Sequence, residues 1–289
     1  MVGRVVVFGS LHYDITVQAG QWPRQGETAV GSAWAPKLGG KGRNQAVAAA
    51  RAGAVTAMIG AVGQDDFGRE LLADLGSRGI DCARVRVSDA AGSGMSVALF
   101  DETGDYRAVI VSGANLTLGA ADAPPQGYFS AADVVVLQNE VPEAANTLVA
   151  QAARAAGARV ILNAAPARAI GADLAGAVDV LVVNAVEAAA MAEVAEPATL
   201  EQARAAAGSL ALRFPAAVVT VGGAGLAHAS GVASFSLPGE RVAVVSTHGA
   251  GDAFVGTLAA RLAAGAEMRA ALEAANHAAA QLVAGVAPA

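Results

Sequence analysis

The sequence of 289 residues contains one cysteine, Cys82, which excludes an internal disulfide framework and any zinc site built from clustered cysteines. A small buried role is expected for that thiol. Aromatic residues make up only 4% of the chain, and the apolar fraction of 54% owes much to alanine, in runs such as Ala188-Ala189-Ala190. No uninterrupted apolar stretch reaches the ~18 to 20 residues that span a bilayer, so no membrane segment is expected. The apolar start from Met1 to Phe8 is too short for a signal peptide, and a cytoplasmic location is expected. Basic residues are outnumbered, and a formal charge of -6 argues against a nucleic-acid partner. A mononucleotide is not excluded, because a few backbone N–H groups and one or two cations can hold one.

Several motifs are also missing. The histidines His12, His228, His248 and His277 show no His-Glu-x-x-His spacing, and no Gly-x-Ser-x-Gly elbow occurs. The first apolar run leads into Gly9-Ser10-Leu11-His12, not into a dinucleotide fingerprint. Gly39-Gly40-Lys41-Gly42 is not a phosphate-binding Walker loop, because no Ser or Thr follows its Gly-Lys pair. Zinc catalysis, serine hydrolysis and dinucleotide redox chemistry thereby lose their anchors.

What is present is a rhythm of short β-branched runs and alanine-rich helical stretches. It predicts an α/β fold with a mostly parallel sheet, organised as a single domain over residues 1–289. Buried strands are expected over Arg4–Gly9, Val134–Gln138, Arg159–Asn163, Val180–Asn184 and Ala217–Val221, and a helix over Asn44–Ala52. Surface helices are expected within 144–158 and 188–211. Ligands of open α/β sheets bind beyond the carboxyl ends of the strands, and Asp14, Glu140, Asn163, Asn184 and Thr220 all fall at, near or just past such ends. Two segments without helices between them, about 27–38 and 93–112, read as alternating strands, the second a hairpin around Asp101-Glu102-Thr103-Gly104-Asp105. They predict a small projecting sheet that could close over a ligand or supply a dimer surface.

The segment Ser246-Thr247-His248-Gly249-Ala250-Gly251-Asp252 precedes a helical pattern over Val255–Ala264. Small residues let several N–H groups converge, the helix adds the positive end of its dipole, and a carboxylate there could take a proton from an alcohol. The same residues equally suit a glycine turn with Asp252 as a helix cap. In Gly39 to Gln45, Lys41 and Asn44 offer donors suited to sugar hydroxyls, or simply a glycine-rich helix entry. Asn184 with Glu187 could orient hydrated Mg²⁺, which needs few protein ligands. Thr220-Val221-Gly222-Gly223-Ala224-Gly225 could let a nucleotide lie against backbone, or be a plain turn.

In their order and spacing, Gly9-Ser10 with Asp14, Gly39-Gly40-Lys41-Gly42 with Asn44-Gln45, Glu140, Asn163-Ala164-Ala165-Pro166-Ala167-Arg168, Asn184 with Glu187, Thr220 to Gly225 and Gly249-Ala250-Gly251-Asp252 resemble the ribokinase family, the PfkB-type carbohydrate kinases. The resemblance covers essentially the whole chain. It implies a ribokinase-like three-layer sandwich with a small β lid that often forms a dimer interface, and phosphorylation of a hydroxymethyl group by ATP with Mg²⁺. It further implies that Asp14, Gly40, Lys41, Gly42, Asn44 and Glu140 hold the sugar, with His12 and Arg43 in the same stretches. Asp252 would be the base, and the N–H groups of Gly249, Ala250 and Gly251 the anion hole. Asn184, Thr220, Gly222, Gly223, Gly225 and Asn276 would contact the nucleotide, and Glu187 would act through magnesium-bound water.

This chain departs from the family pattern in places. Ribokinases usually carry Asn at the position of His12 and a small residue at that of Arg43, which opens the alternative of a nucleoside or pseudouridine kinase. The Asp usual at a monovalent-cation site is Ser246 here, beside His248, and the loop that completes that site is cut short near Ala289, so K⁺ activation is expected to be lost or weakened. A catalytically silent sugar-binding protein is a further alternative, against which the retention of Asp252, Asn184 and Glu187 speaks.

Overall fold

The computed structural model describes residues 3–103 and 105–286, with Tyr106 described only by its backbone. In chain order the elements are β1 (Val5–Phe8), β2 (His12–Gly20), β3 (Ala33–Gly39), α1 (Lys41–Arg51), β4 (Thr56–Gly63), α2 (Asp66–Ser77), β5 (Asp81–Ser88), β6 (Gly94–Asp101) and β7 (Tyr106–Val111). There follow β8 (Val134–Gln138), α3 (Glu143–Ala155), β9 (Arg159–Asn163), α4 (Ala172–Ala175), β10 (Val180–Asn184), α5 (Ala185–Ala192), α6 (Leu200–Leu210) and β11 (Ala216–Thr220). The chain closes with β12 (Gly225–Ser230), β13 (Ser234–Pro238), α7 (Ala250–Ala263) and α8 (Met268–Val283).

The apolar runs expected to be buried strands build the centre of a nine-stranded sheet in the order β13-β12-β11-β10-β9-β8-β1-β4-β5. From β11 to β5 the strands run parallel, and the hairpin β12–β13 adds an antiparallel edge. One face packs Val6, Phe8, Leu137 and Leu162 against residues of α3, α5 and α6. The other packs Val5, Val7, Val136 and Val182 against residues of α1, α2, α7 and α8. Strands covered on both faces must be apolar throughout, which is why β1 and β8 read as unbroken hydrophobic runs. The three-layer α/β sandwich expected from the sequence is observed.

The small sheet has four strands in the order β3-β2-β6-β7. Its centre is β2, which pairs antiparallel with β3 and parallel with β6. The sequence reading missed β2 and with it the true place of Asp14: this residue lies within the small sheet, opposite Lys37 and Ser96, not at the end of a main-sheet strand. Residues 27–32 form no strand, and β3 begins at Ala33. The β6–β7 hairpin falls within 93–112 as expected, while Gly104 of its turn lies outside the described residues. The alanine-rich stretch 188–211 is divided between α5 and α6, because Glu193 ends α5 in a left-handed conformation (φ 54°) and Thr199 caps the next helix by accepting from Gln202 N–H.

Among the described residues no helix is long and apolar enough to cross a membrane. Cys82 is only half-buried, not fully buried as expected, yet burial still pushes its thiol up to about 11, so it stays protonated near neutral pH.

Candidate active site

The carboxyl ends of the central strands form one polar edge. Gln138 lies opposite Asn163 in the β8–β9 pair, and Asn184 opposite Thr220 in the β10–β11 pair. Helix α1 starts directly above this edge because β3 ends at Gly39 and Gly40 turns the chain into it. Helix α7 runs against α1 at very short range: a Cβ placed on Gly256 would fall 2.4 Å from the Gln45 carbonyl oxygen. That closeness brings the amides of α1 within reach of the first turn of α7.

There Asp252 is almost wholly buried. Asn44 Nδ2 donates to its Oδ2 at 3.1 Å, and Gln45 Nε2 donates to its Oδ1 at 3.0 Å. The helix begins at Ala250, earlier than the pattern suggested, so Asp252 sits inside its first turn. It is not the cap: Gly249 is the N-cap residue, and no side chain caps α7. The first N–H groups of a helix lack intrahelical acceptors. Here Ala250 N–H turns back to Thr247 O at 3.3 Å, and Ala253 N–H reaches Gly249 O at 2.9 Å. Among the described residues, the groups between them, on Gly251 and Asp252, find no backbone acceptor in the preceding turn. Apart from its chain neighbours and its own helix backbone, no heavy atom of the described residues lies within 4 Å of where a Cβ of Gly251 would stand, so the space before this turn is open. Burial pushes the Asp252 carboxyl above the ordinary carboxylate range, and the Lys41 ammonium and the two amides pull it partly back.

A cavity of about 180 Å³ joins this turn to the strand ends, with Lys41, Asn184, Glu187, Thr220, Gly251 and Asp252 among its walls. Asn184 and Glu187 form a reciprocal cap on α5: Asn184 Oδ1 accepts from Glu187 N–H, and Glu187 Oε2 accepts from Asn184 N–H, both at 2.9 Å. The other oxygen of Glu187 has no hydrogen-bond donor among the described residues. Burial raises its carboxyl above the usual range, while Asn184 N–H and Lys41 oppose that rise. A buried carboxylate with one free oxygen beside a polar cavity fits a hydrated divalent cation, which keeps most of its waters. Thr220 Oγ1 donates to Val183 O at 3.4 Å, and Gly222 and Gly223 face open space. Gly225 instead answers to the fold. Its φ of 115° and a notional Cβ 2.1 Å from Leu237 O leave room for glycine alone at the start of β12.

Glu140 ties the other side of the site together. Its Oε2 accepts from Lys41 N–H at 2.9 Å and from the Ser10 hydroxyl, and Ser10 Oγ in turn accepts from Gly42 N–H at 3.3 Å. His12 is buried at the start of β2, its Nδ1 3.9 Å from Glu140 Oε2 and its Nε2 without a partner. Ser96 hydroxyl donates to Asp14 Oδ1, anchoring that carboxylate on the small sheet.

Four expected site residues are bonded to groups outside the strand-end cavity. The Arg43 guanidinium turns to Asp74 on α2, to Leu38 O at 3.2 Å and to Asn44 Oδ1 at 3.1 Å, and Arg43 lines a second cavity of about 650 Å³ with Asn44, His248 and Asp252. Asn276 Nδ2 donates to Pro238 O at 2.9 Å, at the end of β13. Ser246 and His248 are exposed and bonded to each other, Ser246 Oγ accepting from His248 N–H at 3.2 Å. The loop toward Ala289 that would complete a cation site there lies partly outside the described residues.

Sequence reasoning passed over Gln45 as a site residue, and Gln138 with it. Gln45 is fully buried and donates to Asn163 Oδ1 at 3.0 Å as well as to Asp252. The signal was a second amide beside Asn44 at the head of an otherwise alanine-rich helix, and a glutamine ending the apolar run of β8.

The sequence profile described as pfkB family carbohydrate kinase matches residues 2–287. The chain belongs to this family. Among pfkB relatives, ribokinase from Bacillus subtilis is 34% identical over 277 residues, covering 95% of this chain and 91% of that protein. Ribokinase from Schizosaccharomyces pombe is 33% identical over 281 residues, covering 93% and 88%. The structure of Arabidopsis thaliana ribokinase complexed with ribose and ATP superposes with a TM-score of 0.88 at 27% identity, covering 98% of this chain and 93% of that one. The chain is thus a ribokinase-like carbohydrate kinase, and the resemblance seen in its motifs extends through the whole fold.

Proposed function

We propose that this pfkB kinase transfers the γ-phosphoryl group of ATP to the hydroxymethyl group of a pentose such as ribose, working as one kinase domain with Asp252 as the base. One observation carries this reading above the others: Asp252 leaves its own helix uncapped and is instead held by Asn44 and Gln45 at an open turn. A carboxylate raised above its ordinary value is a better proton acceptor than a solvated one. The free N–H groups beside it suit the charge that develops on a transferring phosphoryl group.

In this reading the sugar lies between the small sheet and α1, against Asp14, Gly40, Lys41, Gly42, Asn44 and Glu140, with His12 beside Glu140. Its hydroxyl faces Asp252, which takes the proton as the oxygen attacks phosphorus. The nucleotide lies along Asn184, Thr220, Gly222 and Gly223 toward Asn276. Magnesium, held through water by Glu187, neutralises phosphate charge when bound. Closure of the small sheet as a lid would exclude water and keep ATP hydrolysis slow without sugar.

Activation by a monovalent cation is expected to be lost or weakened in this reading. The Ser246 hydroxyl is already bonded to His248 N–H, and neither side chain offers the negative oxygen that a hard cation prefers. The small sheet also suits a homodimer interface, since its edge strands β3 and β7 expose Trp34, Val109 and Ile110.

The reading is tested by ATP consumption against a panel of pentoses, hexoses and nucleosides. The expected result is turnover of ribose or another pentose. Turnover confined to nucleosides would replace it with the nucleoside-kinase alternative, which Arg43 first suggested.

A further inference from the structure

The two amides that hold Asp252 are themselves held by their oxygens. Gln45 Oε1 accepts from Gln138 Nε2 at 2.8 Å, and Asn44 Oδ1 accepts from Arg43 Nη1 at 3.1 Å. An amide whose oxygen is occupied on one side must present its NH₂ group on the other. On the Gln45 side the order is reinforced by Asn163. Asn163 spends its own NH₂ on Val182 O at 3.2 Å and so turns its oxygen toward Gln45. A reversed Gln45 would set its oxygen against both the Asn163 oxygen and the Asp252 carboxylate, in a site from which Gln45 and Gln138 are fully removed from water. On the Asn44 side the guanidinium is fixed in turn by Asp74, which also accepts from Arg78 at 2.8 Å, and by the Leu38 carbonyl.

We propose that Gln138 and Arg43 are positioning residues of the transfer reaction: by occupying the oxygen ends of the Gln45 and Asn44 amides, they make both NH₂ groups face Asp252 and hold its carboxylate in one orientation. The inference rests on the reading of Asp252 as the base. It also gives Arg43 a task that needs no contact with substrate. Gln138 lines neither the strand-end cavity nor the larger one of about 650 Å³ before Asp252, so its effect reaches the reaction through Gln45; Arg43 lines the larger cavity with Asn44 and Asp252, and the split between kcat and KM separates positioning from substrate contact there.

The test is a double-mutant cycle in the full-length enzyme, with ribose and ATP as substrates. Gln138→Met keeps the volume and removes the donor. It is expected to lower kcat about tenfold while leaving both KM values within about twofold, because a base misplaced by a fraction of an ångström slows transfer without weakening binding. Gln45→Met should cost at least as much. The double variant should be no slower than Gln45→Met alone, since Gln138 acts through Gln45. On the opposite side Arg43→Met should lower kcat about tenfold, and Arg43→Lys, which keeps a cationic donor but not the planar fork, should recover part of that loss. Wild-type kcat in Gln138→Met and Arg43→Met, or losses that multiply in the double variant, would overturn the inference. If Gln138→Met fails to fold, the Arg43 pair decides alone: equal losses in Met and Lys, or losses seen in KM instead of kcat, would overturn it. Asp252→Asn serves as the control for the underlying reading. Activity surviving in that variant refutes the base itself, whereas its loss beside a fully active Gln138→Met refutes only the positioning role.

Discussion

Helices α5 and α7 both begin at the polar edge of the sheet, and both carry an acid in their first turn, yet the two acids do opposite things. Glu187 folds back to cap α5, exchanging hydrogen bonds with Asn184. Asp252 leaves α7 uncapped and reaches across to α1. The first arrangement satisfies the helix end and contributes on the order of 1 kcal/mol to the fold. The second leaves N–H groups and a buried carboxylate unspent within the helix, which costs stability and is found where a ligand is meant to complete the site. An acid near a helix start is therefore informative less by its presence than by whether its own helix consumes it.

The contrast can be broken at several points. Asp252→Asn is expected to lower kcat about 10³-fold or more, because an amide accepts no proton. Gly251→Val should cost about 10²-fold in kcat/KM for ATP at an unchanged Tm, since its side chain would enter open space in the free protein but occupy the ground the phosphate needs. Glu187→Gln keeps much of the cap and should lower kcat about tenfold with a raised magnesium requirement, read from a magnesium titration.

The smallest expected effect is on stability. The folded-state carboxyl of Asp252 is raised above its unfolded value. The folded protein therefore binds more protons in the window between the two values, and its stability falls as pH rises through that window. Asp252→Asn removes the titrating group, so the fall of Tm through that window seen in the wild type should be absent from the variant in calorimetric scans across pH. The corresponding acid limb of wild-type kcat should lie above the ordinary aspartate range.

Much of this arrangement was legible in the sequence. The strands β8, β9 and β10 were bounded correctly because unbroken apolar runs ending in Gln138, Asn163 and Asn184 have few other readings in an α/β chain. Lys41, Asn184, Glu187, Thr220 and Asp252, singled out from separate motifs, line one cavity. What escaped was whatever depends on pairing across the chain. Strand β2 was missed because its register with β3 and β6, not its own residues, makes it the centre of the small sheet. The sequence left open whether Asp252 caps its helix. Only the close approach of α1 and α7, permitted at Gly256, shows the carboxylate taken up by Asn44 and Gln45. Arg43 stood out because it lies in the glycine-rich loop, and nothing local reveals that Asp74, 31 residues away, pairs with it.

The most direct measurement of the central claim pairs calorimetric ribose titration with turnover in Asp252→Asn. The account expects ribose to bind within about threefold of wild type, since Asp14, Asn44 and Glu140 remain, while phosphorylation falls by about 10³-fold or more. Preserved turnover, or a loss of turnover matched by an equal loss of ribose binding, would contradict it.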